Sequence, residues 1–167
     1  MFAIINHKLF KMKKILFIFL LTIPTLTFCQ KSAGLLSQVD DFSVIAQELD
    51  ADYASNEHTL WDKTLSDNAV VYGNNSKMDG KTVKEIFKSH HTMFNDIKIL
   101  DGYAHTNYFK DGNVWTNKWF IWQGTGNKTG VRYSNRCHFD YRWENGKIVE
   151  MLIFADNTAL NMELAAQ

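Results

Sequence analysis

Val114-Trp-Thr-Asn-Lys-Trp-Phe-Ile-Trp-Gln123, Val131-Arg-Tyr-Ser-Asn-Arg-Cys-His-Phe-Asp-Tyr-Arg-Trp143 and Ile148-Val-Glu-Met-Leu-Ile-Phe-Ala155 are three strand-like runs set back to back. The Gly-rich stretch Gly124-Thr-Gly-Asn-Lys-Thr-Gly130 joins the first two, and Asn145-Gly146, the strongest short-range hairpin signal, joins the second to the third. Helical patterns precede these strands. That order predicts an α+β domain with a strongly curved antiparallel sheet.

Upstream, Leu36, Val39, Ala46, Leu49 and Tyr53 recur at helical spacing, with Asp40 and Asp41 near the start, where the helix dipole favours acids. Residues 57–65 predict a second short helix burying Leu60, Trp61 and Leu65. Ala69–Tyr72 reads as a short strand ended by Gly73-Asn-Asn-Ser76. A third helix is expected over Lys81–Phe94, with Val83, Ile86, Phe87, His90 and Phe94 on one face and His91 beside it. Asp96–Phe109 reads as a strand before the hairpin signal Asp111-Gly112, and residues 157–167 as a short helix or a frayed end.

The N-terminus reads as an export signal. Lys11, Lys13 and Lys14 precede the apolar run Ile15–Ile23, closed by Pro24 and followed by Thr25-Leu-Thr-Phe-Cys29. The run is shorter than the roughly 20 residues a bilayer span needs. Met12 begins a conventional signal, so residues 1–11 read as an upstream start. Cleavage before Gln30 uses Thr27 and Cys29 as the small residues. The competing route acylates Cys29 and tethers the protein to a membrane, although Phe28 stands where a small residue is usual. The expected product is a single domain, residues 30–167, in the periplasm or outside the cell. Residues 1–29 carry four lysines and no acid, so removing them from a chain of 18 basic and 18 acidic residues leaves 14 against 18, a net charge of −4. With no basic stripe, nucleic acid is not an expected partner. Cys137 is then the only cysteine, which excludes an intramolecular disulfide.

This element order, the closing Glu144-Asn-Gly-Lys-Ile-Val-Glu150 and the terminal Phe154-Ala-Asp156 resemble the nuclear transport factor 2-like superfamily, closest to its SnoaL-like branch. The resemblance spans nearly all of residues 35–160. It implies a cystatin-like cone, with the bent sheet wrapped around about three N-terminal helices and a pocket at the open end. It also implies a homodimer packed through the sheet. Members include polyketide cyclases, ketosteroid isomerases, dehydratases and binding proteins. The isomerases carry a base Asp just after the first short strand, where this chain has Tyr72-Gly73. SnoaL-type cyclases carry Glu-His-Trp-Asp on the last strand, where this chain reads Glu150-Met151-Leu152-Ile153. Neither acid is present, and neither Gly nor Ile shuttles a proton.

A two-residue Asn145-Gly146 turn sets an expected register in which Trp143 faces Ile148, Tyr141 faces Glu150, Phe139 faces Leu152, Cys137 faces Phe154 and Asn135 faces Asp156, all on one side of the sheet. Trp115, Asn117 and Trp119 join that side if the preceding strand continues the pattern. The result is an apolar surface with a few polar groups, the composition of a small-molecule pocket or of a core with a polar rim. Arg132, Arg136, His138 and Arg142 fall on the other side, with His138 opposite Ile153; the usual exposure of arginine favours a solvated or dimer-facing surface there.

The candidate catalytic groups are His90 and His138, which titrate near physiological pH. The candidate ligand-binding groups are Tyr53, Tyr72, Trp115, Trp119, Asn135 and Asp156. Each has a structural reading beside the functional one: a paired core histidine, a core aromatic or a strand-end acid. No metal site is expected, since His90 and His91 are adjacent and lack the i, i+4 spacing of zinc helices. No cofactor is expected either, because the only Gly-rich loop opens no helix. Two functions remain: a binding protein for a small apolar or aromatic molecule, and a cofactor-free lyase or isomerase with a pocket histidine as base.

Overall fold

The computed structural model describes residues 34–166. The export segment, Cys29 and its processing lie outside them. The elements run β1 (Gly34–Ser37), α1 (Asp41–Ala54), α2 (Thr59–Thr64), β2 (Leu65–Gly73), β3 (Ser76–Asp79), α3 (Gly80–Met93), β4 (Phe94–Phe109), β5 (Val114–Gly126), β6 (Arg132–Glu144), β7 (Lys147–Phe154) and α4 (Thr158–Ala165). The strands form one seven-stranded sheet in the order β1-β4-β5-β6-β7-β2-β3.

The sheet is mixed, which corrects the all-antiparallel expectation: β2 and β7 pair in parallel. The meander from β4 to β7 reverses direction three times and arrives beside β2 running the same way. Two short edge strands, β1 and β3, were not foreseen. In β1, Leu35 and Leu36 are largely exposed, so no alternation marks the strand.

Local caps set the helix limits. The Asp40 carboxylate accepts from the backbone N–H groups of Phe42 and Ser43 at 3.1 Å, so α1 starts at Asp41 and not at Leu36. Val39, assigned to the helix by its spacing, is left 89 % exposed. Asp79 caps α3 through the Thr82 N–H at 2.7 Å. Asp52 of α1 caps its neighbour α2, accepting from Leu60 N–H at 3.1 Å and Trp61 N–H at 2.9 Å. That contact fixes the angle between the two helices.

Register shifts bend β4 at Asn95/Lys98 and at Leu100/Tyr103, where Asp96 and Asp101 take left-handed φ of 51°. The curled sheet closes on α1–α3. Ala46, Trp61, Val71, Val83, Tyr141 and Met151 form the core against its concave face. A second cluster of Phe94, Phe120, Trp122, Cys137 and Ala159 lies beneath α4.

The expected register between β6 and β7 holds at Trp143–Ile148 and then breaks. Val149 is an extra residue, and beyond it Arg142 faces Glu150, Tyr141 faces Met151 and Phe139 faces Ile153. The unbulged register would bury the Glu150 carboxylate beside Tyr141 in an apolar layer, at high cost. The bulge turns Glu150 outward, 2.9 Å from Arg142 Nε, and buries Met151 completely.

The phase of β5 is also the reverse of expectation. Thr116, Lys118, Phe120 and Trp122 point inward, while Trp115, Asn117 and Trp119 share the convex face with Arg142, Asp140 and His138. A charged residue, Lys118, thus takes an inward position, against the usual exposure of lysine.

Candidate functional site

Between the helices and the concave face lies a cavity of about 270 Å³. Most of its wall is apolar: Leu49 from α1, Trp61 from α2, Val83 and Phe87 from α3, and Phe120, Phe139 and Ile153 from the sheet. Phe87 stacks parallel to Phe139 at 6.4 Å and meets Trp61 edge-on at 5.3 Å, so the aromatic lining is interlocked. Both positions where the family resemblance places an acid open onto this cavity, as Gly73 and Ile153.

The first polar feature spans three elements. Trp122 Nε1–H donates to the Tyr53 hydroxyl at 2.8 Å, and that hydroxyl lies 2.9 Å from His90 Nδ1. Indole donates only and a phenol carries one proton, so full pairing has Tyr53 donating to Nδ1. The His90 proton then sits on Nε2, which has no hydrogen-bond partner among the described residues. Burial holds the His90 imidazole down at about 4, with neighbouring His91 acting in the same direction. Burial likewise raises the Tyr53 phenol, although the Trp122 bond partly offsets it. At neutral pH the trio is uncharged and presents an N–H donor to the cavity. His91 completes the placement, its Nε2 2.8 Å from the Tyr53 carbonyl.

The second feature was missed from the sequence. Lys118 lines the cavity with its side chain 2 % exposed. Its ammonium donates to the Ala46 carbonyl at 2.6 Å and forms an ion pair with Asp50 of α1. Nζ also lies 5.1 Å from the centroid of the Phe120 ring. Burial lowers the Lys118 ammonium and raises the Asp50 carboxyl, and the charge of each partner partly offsets the other's shift. A Cβ on Gly102 would lie 3.1 Å from Asp50 Oδ2, so the glycine leaves room for the carboxylate beside the β4 bulge. The cue in the sequence was an acid, Asp50, adjoining the apolar face that Ala46, Leu49 and Tyr53 make on α1.

Of the residues singled out from the sequence, Tyr53, His90, Asn135 and Asp156 line the cavity. Asn135 donates to the Asp156 carbonyl at 2.9 Å, and the exposed Asp156 carboxylate accepts from the Thr158 N–H and hydroxyl at the start of α4. Those Thr158 bonds lower its pKa. Tyr72, Trp115, Trp119 and His138 do not reach the cavity. Tyr72 lies opposite Leu152 on the outer face, because Val71 and Met151 take the inner one. On that face His138 Nε2 contacts Asp140 at 2.8 Å, and its ring packs 4.3 Å from that of Trp119, which stacks on Tyr103 and His105. Cys137 opens onto the cavity, but burial raises its thiol to about 11, far from a nucleophile's range. Among the described residues no group of three or more His, Cys, Asp or Glu side chains is arranged to hold a metal ion.

No protein-family model matches the sequence, and no curated protein matches it. Solved structures do match. A candidate isomerase from Bacillus subtilis superposes with a TM-score of 0.58 at 14 % identity, over 74 % of this chain and 92 % of that one. IdmH, a candidate polyketide cyclase from Streptomyces antibioticus, gives 0.57 at 17 % identity over 75 % and 99 %. A candidate SnoaL-like polyketide cyclase from Shewanella putrefaciens gives 0.54 at 12 % over 77 % and 99 %. At these identities the likeness is one of fold: the chain has the SnoaL-like form of the nuclear transport factor 2-like fold.

Proposed function

We propose that this protein, with its SnoaL-like fold, holds a small, mostly apolar or aromatic molecule in the cone. The observation that carries the reading is the cavity itself, lined by interlocked aromatic rings and offering an uncharged donor at His90 Nε2. Its volume, about 270 Å³, lies just below the roughly 300–1,000 Å³ of ligand sites, which suits a ligand of one or two rings with a hydrogen-bond acceptor. The test is a titration with 2-naphthol, read by the fluorescence of Trp61 and Trp122 in the cavity wall. Saturable quenching at one site per chain is expected, with loss of saturation in Ile153→Trp, which fills the cavity from its wall. Equal, unsaturable quenching in both proteins would overturn the reading.

A second reading, a cofactor-free lyase or isomerase, is favoured by one observation. His90 is oriented by a hydrogen-bonded phenol, the arrangement of a positioned proton-transfer group. His138 has no part in it. Export follows from the basic and apolar pattern of residues 11–29, and the mass of the mature protein tests it: a chain starting at Gln30, or one acylated at Cys29. A homodimer through the convex face would cover Leu100, Tyr103 and Phe154, all exposed there. Light scattering on Tyr103→Glu, compared with the parent, tests that assembly.

A further inference from the structure

We propose that Lys118 is a carbonyl-reactive amine, which condenses inside the cone with an aldehyde or ketone to form a Schiff base while Asp50 moves the proton. This rests on the reading of the cavity as a small-molecule site and names the chemistry of its ligand.

Three observations converge on Lys118. It is the one buried lysine among the described residues, and it is one of the residues that line the cavity. Second, a buried ion pair is an expensive way to hold a fold, since apolar residues of similar volume usually serve stability as well or better. The inward positions that follow it on β5, Phe120 and Trp122, are filled in that cheaper way, while Thr116 before it is polar but uncharged. Third, Nζ has two acceptors, the Ala46 carbonyl and the Asp50 carboxylate. A neutral amine has two N–H bonds to give them and keeps its lone pair for an electrophile. Burial beside an apolar ring is the setting in which a lysine acts as a nucleophile. Asp50 is half-open, its side chain 22 % exposed, so it joins the amine to the solvent edge near Gly102.

The chemistry balances with these groups alone. Asp50 takes a proton from the Lys118 ammonium, and the freed nitrogen lone pair attacks the carbonyl carbon. The C–N bond forms as the C–O π electrons move to oxygen, and one nitrogen proton passes to that oxygen to give the carbinolamine. Asp50 then returns its proton to the hydroxyl, which leaves as water while the nitrogen lone pair forms C=N. The product is a protonated imine facing the Asp50 carboxylate, so the net charge of the pair is unchanged.

The experiment incubates the protein with 2-naphthaldehyde and sodium cyanoborohydride, which reduces an iminium to a stable secondary amine, and maps the adduct by peptide mass. Trapping at Lys118 at least about tenfold faster than at the exposed Lys63, Lys81 or Lys147 supports the proposal, since burial gives those lysines no activation. Asp50→Asn is expected to slow trapping about tenfold and Asp50→Glu to restore part of the rate. The double variant Lys118→Met/Asp50→Leu, which removes both charges together, is expected to fold and to give no fast adduct. Lys118 reacting no faster than the surface lysines overturns the proposal. If 2-naphthol still quenches in that case, the amine chemistry falls and the cavity reading stands; if it does not, both fall.

Discussion

Tyr53 on α1 and His90 on α3 meet at 2.9 Å, hydroxyl to Nδ1, beneath the indole of Trp122 on β5, so one phenol ties two helices to the sheet at the wall of the cavity. Tyr53→Phe leaves the Trp122 N–H and the His90 Nδ1 without partners. A loss of about 1–3 kcal/mol is expected from unfolding in urea, the cost of orphaning buried polar groups. Affinity for 2-naphthol should fall as well, because His90 loses the bond that assigns its tautomer.

Acid should destabilise the protein as its buried histidines are forced to charge. The folded-state value of His90 is about 4 against 6.5 for the free side chain, and His58 and His91 are shifted in the same direction, all by burial first. Between those two pH values the unfolded chain binds protons that the folded chain refuses. The histidine contribution is therefore complete above pH 6.5 and is lost as pH falls towards 4. For His90 alone the loss is on the order of 3 kcal/mol. Urea midpoints measured at intervals across this window should show the decline, and His90→Gln should flatten it.

The bulge in β7 separates two truncations. Met151→Ala should cost about 2–5 kcal/mol, as for a fully buried large-to-small change, and Leu152→Ala on the outer face well under half of that. Thermal unfolding of the pair checks this, since an unbulged strand would reverse their order.

Glu163 holds the last helix in place. Its carboxylate accepts from the N–H groups of Lys128 at 2.9 Å and Thr129 at 3.0 Å in the β5–β6 loop, and from the Thr129 hydroxyl. Ala159 and Leu160 of the same helix line the cavity. In Glu163→Ala, amide exchange at Lys128 and Thr129 should accelerate strongly while that of the α1 core is unchanged. Hydrogen exchange read by mass spectrometry distinguishes the two.

Breaking the buried ion pair from one side should cost more than removing it. Lys118→Met leaves the Asp50 carboxylate without its cation and should lose about 3 kcal/mol, whereas Lys118→Met/Asp50→Leu should recover most of it. Denaturant midpoints for the two variants decide between them.

Element order was legible because strand alternation and helical spacing are local. The runs at Val114, Val131 and Ile148 and the stripe through Val83, Phe87 and His90 became β5, β6, β7 and α3. His90 and Tyr53 were legible for the same reason: each continues an apolar helical face with a polar group. Which side of β5 faces inward was not legible, since Trp115 and Trp119 on one side balance Phe120 and Trp122 on the other. Lys118 tips that balance only through Asp50, 68 positions earlier in the chain. The bulge was hidden as well, because Val149 fits an unbroken strand; only the cost of burying Glu150 argues against one.

The surplus residue at Val149 gives the cone one unit of slack in chain length. Deleting it would join Ile148 directly to Glu150 and leave the pairings Trp143–Ile148 and Arg142–Glu150 as they are. A one-residue deletion at that position would therefore be absorbed between the hairpin tip and the ligand-facing wall, with the β6–β7 pairs on either side unchanged.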